Sequence, residues 1–199
     1  MTATLVVLIS GSGTNLEAIV EAIETNKLNA KIALAISNRK AAYGLIRAEE
    51  HQIPTLYFPL KPYLNEGKSR ENYDADLAMR VAECEPTLVV LAGWLHVFSP
   101  AFLDSFPGHV INLHPALPGT FPGLHAIERA FEAYQRGEIS ESGCMIHHVI
   151  PEVDAGVVIT KTTVPFQDGD TLEVFEQRMH EAEHQLIVEG ICLALEDLA

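Results

Sequence analysis

Two polar side chains suited to catalysis stand close together in the segment Ile111–Pro115, which reads Ile-Asn-Leu-His-Pro. Asn112 and His114 alternate with apolar neighbours, so on a β-strand both side chains point to the same face. A carboxamide donor beside an imidazole can stabilise a developing oxyanion and move a proton. The alternative is a structural histidine that caps the Pro- and Gly-rich loop after it. The position just before such a loop favours a catalytic role.

A carboxylate that could act with them is Asp154, which lies in the turn 151–156. Aspartate followed by a small residue and glycine is also common turn chemistry, so a purely structural role is the alternative. If Asp154 lies near His114, its charge is expected to raise the pKa of the imidazole. A protonated acid would then be available near neutral pH.

A glycine-rich turn, Ser10–Asn15, follows the first strand-like run and precedes the first helical pattern. Such a turn lets backbone N–H groups approach an anion, and the helix N-terminus adds partial positive charge. The third glycine of a dinucleotide fingerprint and the lysine of a Walker motif are both missing. A phosphate-binding loop is therefore one interpretation, and a tight turn in which Thr14 or Asn15 caps the helix is the other.

Weaker signals come from Glu183, Trp94 and Phe98. Glu183 falls at the edge of the apolar stripe of the last helix, where a carboxylate is either solvated or directed into a polar site. Trp94 and Phe98 follow a strand-like run and either line a ligand site or belong to the core. The neighbours His147 and His148 would point to opposite faces of a strand, so no metal site is expected there.

The elements that position these residues alternate between strand-like and helical patterns. This order predicts an α/β fold with a doubly wound, Rossmann-like, mostly parallel sheet of about seven strands. No room for a helix exists between the last two strands, so they are expected to be antiparallel. The predicted strands are 4–9, 31–36, 55–58, 87–91, 110–113, 143–149 and 157–163, and the predicted helices include 16–23, 70–82, 100 onward, 125–136 and 171 onward.

Composition narrows the class of protein. A chain of 199 residues with 48% hydrophobic residues indicates one globular domain. A net charge of −14 argues against nucleic-acid binding, which requires clustered Lys and Arg. The sequence contains no apolar run long enough to span a membrane, and no signal peptide is expected. Three widely separated cysteines indicate reduced thiols, so a cytoplasmic location is expected.

Four segments together resemble the folate-dependent glycinamide ribonucleotide formyltransferases of purine biosynthesis. They are VVLISGSGTNLEAI at 6–19, LAGWLHVFSPAFL at 91–103, NLHPALPGTFPGLHAIERA at 112–130 and HHVIPEVDAGVVI at 147–159. The resemblance covers most of the chain. It implies transfer of the formyl group of 10-formyltetrahydrofolate to the amine of 5'-phosphoribosylglycinamide, with no metal. The implied partners are these small molecules, without nucleic acid or membrane, and the implied state is a monomer or weak homodimer.

The same resemblance implies roles for particular residues. Asn112, His114 and Asp154 match the family's catalytic triad. The implied ribonucleotide-binding residues are Gly13, Thr14, Asn15, Pro115, His180 and Glu183. The implied folate-binding residues are Arg70, Leu95, His96, Val97, Phe98, Asn112, Ile150, Pro151, Glu152, Val153 and Asp154. One domain over 1–199 is expected, with a ribonucleotide-phosphate half at 1–92 and a catalytic and folate half at 93–199.

Two departures concern the folate side. His96 stands where many relatives have arginine, and the loop after His114 reads HPALPGTFPG where many have HPSLLP. The fine shape of the folate pocket is therefore left open, while the triad is intact.

Three other functions remain as alternatives. A methionyl-tRNA formyltransferase is expected to carry a further C-terminal RNA-contacting domain, and a formyltetrahydrofolate hydrolase a further N-terminal regulatory domain. The third is a catalytically silent ligand-binding protein on the same scaffold. The intact triad argues against the last, and the glycine-rich turn favours a phosphorylated small substrate over the first two.

Overall fold

Seven strands form one mixed sheet in the computed structural model, which describes residues 2–198. They are β1 (Ala3–Ile9), β2 (Ala30–Ser37), β3 (Thr55–Tyr57), β4 (Leu88–Leu91), β5 (Val110–His114), β6 (Glu141–His148) and β7 (Val158–Pro165). Their order in the sheet is β3-β2-β1-β4-β5-β6-β7. Strands β1 to β5 pair in parallel, whereas β6 is antiparallel to both of its neighbours. The doubly wound, mostly parallel α/β fold is confirmed, together with the antiparallel late strands.

The helices lie between these strands and after the last one. They are α1 (Thr14–Glu24), α2 (Tyr43–Glu50), α3 (Lys61–Asn65), α4 (Arg70–Ala82), α5 (Pro100–Leu103), α6 (Ala126–Gln135) and α7 (Leu172–Asp197). Helix α4 begins where expected because Ser69 and Asn72 form a reciprocal capping box. No helix within 2–198 combines the length and the apolar character that crossing a membrane requires.

Alternating side chains of the central strands supply a core on each face of the sheet. Leu5, Val7 and Ile9 pack with helices α1 and α7 on one face, whereas Val6 and Leu8 pack with α4 on the other. These residues are fully buried on both faces, which explains why the strands read as continuous apolar runs.

Helices α2 and α3 were not predicted from the sequence. Helix α2 spans eight residues, and only Gly44, Leu45 and Ala48 are buried, so its apolar stripe is too short to be recognised as a period. Helix α3 spans five residues and has none buried. Tertiary packing, rather than local pattern, determines α2, and α3 is too short to show a helical period.

The sheet order fixes where a ligand site can form. The chain leaves β1 in one direction to β2 and crosses to β4 in the other, so a crevice opens beyond the carboxyl ends of β1 and β4. The loops at 10–13, 92–99 and 115–125 start from the ends of β1, β4 and β5 and therefore surround this crevice.

Candidate active site

A cleft of about 490 Å³ occupies that crevice. It brings together most of the residues selected from the sequence. Lining it are Gly13, Thr14, Asn15, Leu95, His96, Val97, Phe98, Asn112, His114, Pro115, Ile150, Glu152, Val153, Asp154, His180 and Glu183. Arg70 and Pro151 do not line it. Its volume falls within the range of about 300–1,000 Å³ usual for small-molecule sites.

Asn112 has acceptors for its amide nitrogen on two sides. Its Nδ2 lies 3.1 Å from His147 Nε2 and 3.3 Å from Asp154 Oδ1. The Nδ1–H of His147 donates to the backbone carbonyl of His148 at 2.8 Å, which leaves Nε2 as the acceptor. The N–H groups of the carboxamide are thus directed at His147 and Asp154.

His114 is buried and faces an oxygen on each side of the ring. Its Nε2 lies 3.1 Å from the Phe121 carbonyl oxygen, and its Nδ1 lies 3.3 Å from Asp154 Oδ2. Burial lowers the pKa of His114 below its ordinary value, outweighing the opposite effects of the Asp154 charge and the Phe121 carbonyl. The expected contact with Asp154 is present and acts in the expected direction. The expectation of a raised pKa is wrong, because burial disfavours the charged ring more strongly.

Asp154 is held by both backbone and side chains. It adopts the left-handed conformation, with φ of 52°, which is uncommon for a residue other than glycine. The Gly123 N–H donates to its Oδ2 at 2.7 Å, and His147 Nε2 lies 3.5 Å from its Oδ1. Burial raises the pKa of this carboxyl, but the contacts with His147, Gly123 and His114 together bring it below its ordinary value. Asp154 is therefore ionised at neutral pH.

The glycine-rich loop depends on close contact with α2. Gly13 has φ of 74° and precedes α1, and a Cβ on Gly44 would meet the Ile9 side chain and lie 3.0 Å from the Gly13 Cα. The guanidinium of Arg47 donates to the Ser12 carbonyl at 3.0 Å and to Glu17 Oε2 at 3.1 Å. Oδ1 of Asn15 is buried and has no hydrogen-bond partner within 2–198. The loop therefore presents a fixed backbone and an unused polar atom.

Helix α7 directs a carboxylate into the opposite side of the cleft. Glu183 is only 5% exposed, and its Oε2 accepts a hydrogen bond from His180 Nδ1 at 2.8 Å. This hydrogen bond raises the pKa of His180 above its ordinary value. Of the two interpretations of Glu183, the polar site is the one that the structure supports.

The third side of the cleft is apolar. Leu95, Val97, Ile150 and Val153 are exposed on its surface. Trp94 and Phe98 are buried and stack on each other, so they line the cleft and belong to the core at once.

Arg70 supports this side from outside. It donates to the Val97 carbonyl at 2.6 Å and to the buried Asp74 at 2.8 Å, and Asp74 in turn accepts from the Ser99 backbone. The Nε2 of His96 lies 2.9 Å from Asn38 Nδ2.

Charge in the cleft is negative or neutral. Among the described residues that line it there is no Lys or Arg, whereas Glu152, Asp154 and Glu183 are carboxylates. No group of three or more His, Cys, Asp or Glu within 2–198 is arranged to hold a metal ion.

Sequence reasoning missed the part that His147 plays in this site. It is 2% exposed and pairs directly with Asn112 across the antiparallel strands β5 and β6. The sequence does indicate that one histidine of the pair at 147–148 must point to the inner face of its strand. The register that sets it beside Asn112 could not be read from the sequence.

The fold and this site together indicate the class of protein to which the chain belongs. A family model described as "Formyl transferase" matches residues 3–191, so the chain belongs to the formyl transferase family. Its similarity to phosphoribosylglycinamide formyltransferases, inferred above from four segments, is confirmed.

Individual relatives match along their whole length. The chain is 48% identical to the phosphoribosylglycinamide formyltransferase of Schizosaccharomyces pombe, over 96% of each protein. It is 47% identical to that of Dictyostelium discoideum, over 97% of this chain and 98% of the relative. The crystal structure of glycinamide ribonucleotide transformylase 1 from Symbiobacterium toebii superposes with a TM-score of 0.91 at 36% identity, covering 98% of this chain and 89% of that one.

Proposed function

We propose that the chain transfers the formyl group of 10-formyltetrahydrofolate to the amine of 5'-phosphoribosylglycinamide, a step of purine biosynthesis. The observation that carries the proposal is the contact of Asn112 and His114 with Asp154 at the end of β5. The names of the full-length relatives support this pair of substrates.

The ribonucleotide occupies the side formed by the glycine-rich loop and α7. Gly13, Thr14 and Asn15 hold the phosphate, because backbone N–H groups at the start of α1 are the available partners for an anion. Glu183 and His180 bind the glycinamide end, and Pro115, next to His114 in the chain, also lines this site.

The folate occupies the apolar side. Its ring system packs among Leu95, Val97 and Phe98 and the loop 150–154, where apolar side chains and backbone polar groups lie together. Arg70 keeps the segment at 95–99 in place through the Val97 carbonyl and Asp74. His96 modifies this side with a neutral ring, since burial lowers its pKa.

The folate supplies the formyl group, and the side chains of this protein assist its transfer. Asn112 donates a hydrogen bond to the formyl oxygen as that oxygen gains negative charge; loss of one such donor costs about 100- to 1000-fold in rate. The substrate amine forms the new bond to the formyl carbon, and the bond from that carbon to the folate nitrogen breaks. The scheme needs neither a covalent enzyme intermediate nor a metal.

His114 transfers the proton. It is neutral in the free protein, takes up the proton that the amine loses, and returns it to the leaving folate nitrogen, directly or through water. Asp154 stabilises the ring while it carries this proton, since its carboxylate lies 3.3 Å away. Substrate binding replaces the 3.3 Å contact of Asn112 Nδ2 with Asp154, and the contact of His114 with Asp154 is kept.

The proposed function also implies the partners, the location and the oligomeric state of the protein. The partners are two small molecules, and the protein is a cytoplasmic monomer or weak homodimer without nucleic acid or membrane. The chain acts as one domain, in which 1–92 contributes most of the phosphate side and 93–199 the catalytic side.

An absorbance assay tests the proposal. Loss of formyl from a 10-formyl folate analogue is followed with and without 5'-phosphoribosylglycinamide. Turnover that requires the ribonucleotide is the expected result. Equal loss in its absence would indicate hydrolysis, and binding of both ligands without turnover would indicate a silent ligand-binding protein.

A further inference from the structure

Arg129, on helix α6, binds a row of backbone carbonyls in the loop before that helix. Its Nη2 donates to the Phe121 carbonyl at 2.7 Å and to the Pro122 carbonyl at 2.6 Å. Its Nε donates to the His125 carbonyl at 3.3 Å. The guanidinium also lies 5.9 Å from the centre of the Phe121 ring. A planar guanidinium presents several donors in a fixed arrangement, which suits it to hold several carbonyls at once.

The loop needs such support because its backbone is strained. Phe121 and His125 have φ of 46° and 59°, in the left-handed region that residues other than glycine rarely adopt. Such a conformation is unfavourable and persists only where surrounding contacts enforce it. The only side chain that joins both strained residues in these hydrogen bonds, within 2–198, is that of Arg129.

The same loop contacts two of the catalytic residues. The Phe121 carbonyl accepts from His114 Nε2 at 3.1 Å, so it is shared between the imidazole and Arg129. Two residues later, the Gly123 N–H donates to Asp154 Oδ2 at 2.7 Å. One guanidinium thus stands directly behind the groups that orient both the proton carrier and its carboxylate.

We propose that Arg129 is a positioning residue of the formyl-transfer site. By holding the 121–125 loop, it sets the Phe121 carbonyl against His114 and the Gly123 N–H against Asp154. This inference rests on the proposed function for its kinetic consequences, whereas its structural content concerns the ligand-free protein. Arg129 does not itself line the cleft, so it acts through the loop and not on the substrates.

Kinetics of Arg129→Lys and Arg129→Ala test this role. Lysine keeps the positive charge but lacks the planar set of donors of the guanidinium. Both variants are therefore expected to lose about 10- to 100-fold in kcat, which is the loss that a displacement of catalytic groups by about 1 Å can cause. KM for the ribonucleotide should stay within about twofold, because Gly13–Asn15, His180 and Glu183 lie on other elements than the 121–125 loop. Millimolar guanidinium ion should restore part of the kcat of Arg129→Ala and none of that of the control Arg136→Ala. Arg136 follows the same helix, and its only ion-pair partners within 2–198 are two exposed glutamates.

Hydrogen–deuterium exchange gives a measurement that does not depend on activity. The Gly123 amide should exchange at least about tenfold faster in both Arg129 variants than in the parent chain or in Arg136→Ala, since its bond to Asp154 is lost. Unchanged exchange with kcat within about twofold of the parent would overturn the inference. The inference would also be overturned if kcat falls only because the variants unfold and guanidinium ion does not restore it. If the parent chain transfers no formyl group, the proposed function fails and the exchange measurement alone decides the role of Arg129.

Discussion

At the scale of single residues, Asp154 contacts four partners, one of which is His147 Nε2 at 3.5 Å from its Oδ1. Its Oδ1 accepts from the Asn112 carboxamide, and its Oδ2 accepts from the Gly123 backbone while facing the His114 ring. A carboxylate has enough lone pairs for all of these, whereas an amide at the same position would offer one acceptor oxygen and introduce two donors. The charge of Asp154 and its acceptor capacity are therefore both required.

Replacing His114 or Asp154 with asparagine should remove most turnover while leaving ribonucleotide binding nearly unchanged. We expect kcat to fall by about 100-fold or more in each variant, because the proton path fails. Steady-state kinetics and calorimetric titration with the ribonucleotide would measure the two effects. Asp168→Asn, which changes an exposed aspartate, serves as the matched control. Near-normal turnover in both active-site variants would contradict the mechanism.

The protonation of His114 can be followed directly. Burial lowers its pKa, so its titration midpoint by NMR in the ligand-free protein should lie below about 6.5. The charged or titratable groups that act on the ring are Asp154, His147 and Arg129. Because the Asp154 charge favours the protonated ring, Asp154→Asn should lower the midpoint further, and Asp168→Asn should not move it. A midpoint above 6.5 in the parent chain would show that the ring is already charged in the free enzyme.

At the scale of elements, strand patterns carried most of the information in the sequence. The seven predicted strands correspond to the seven strands of the sheet, most clearly at β4, which is apolar and buried at every position, and least clearly at the partly exposed edge strand β7. The positions of Asn112 and His114 followed from period two on β5. The pairing of Asn112 with His147 could not be predicted from the sequence. It depends on the register between β5 and β6, which is set by long-range packing. Helix α2 was missed for a related reason, since its first turn is fixed by contact with Gly13.

That contact makes a prediction about the α1–α2 pair. In Gly44→Ala the new Cβ would overlap the Ile9 side chain and press on the backbone of Gly13. Overpacking of this kind costs about 1–3 kcal/mol in unfolding free energy. The displaced loop should also weaken ribonucleotide binding, with folate binding less affected. Denaturant unfolding and equilibrium titration would measure the two quantities. Gly11→Ala is the stability control, because a Cβ there meets nothing within 4 Å; equal stability losses in the two variants would refute the packing argument.

At the scale of the whole molecule, electrostatics opposes the proposed substrates. The chain carries a net charge of −14, and both the ribonucleotide phosphate and the folate carboxylates are anions. Two arginines near the cleft are already engaged: Arg47 pairs with Glu17, and Arg70 pairs with Asp74. Attraction for the phosphate must then come from backbone N–H groups at the start of α1, which act only at short range. The negative charge of the whole protein therefore repels the substrates as they approach. The partial positive charge at the start of α1 attracts the phosphate once it is in the cleft.

This opposition predicts an unusual response to salt. Raising ionic strength from 0.01 to 0.15 M shortens the Debye length from about 30 to about 8 Å, which screens the repulsive field of the whole protein more than the contacts inside the cleft. We expect kcat/KM for the ribonucleotide to rise by about two- to fivefold over this range, with little change in kcat. Sodium and potassium chloride should give the same curve, and sulfate and phosphate are excluded because they compete for the glycine-rich loop. A steep fall in kcat/KM with chloride would mean that a positive local field guides the substrate. The positive charge of Arg47 or Arg129 would then have to attract the substrate, although in the free protein these guanidinium groups bind a carboxylate and backbone carbonyls.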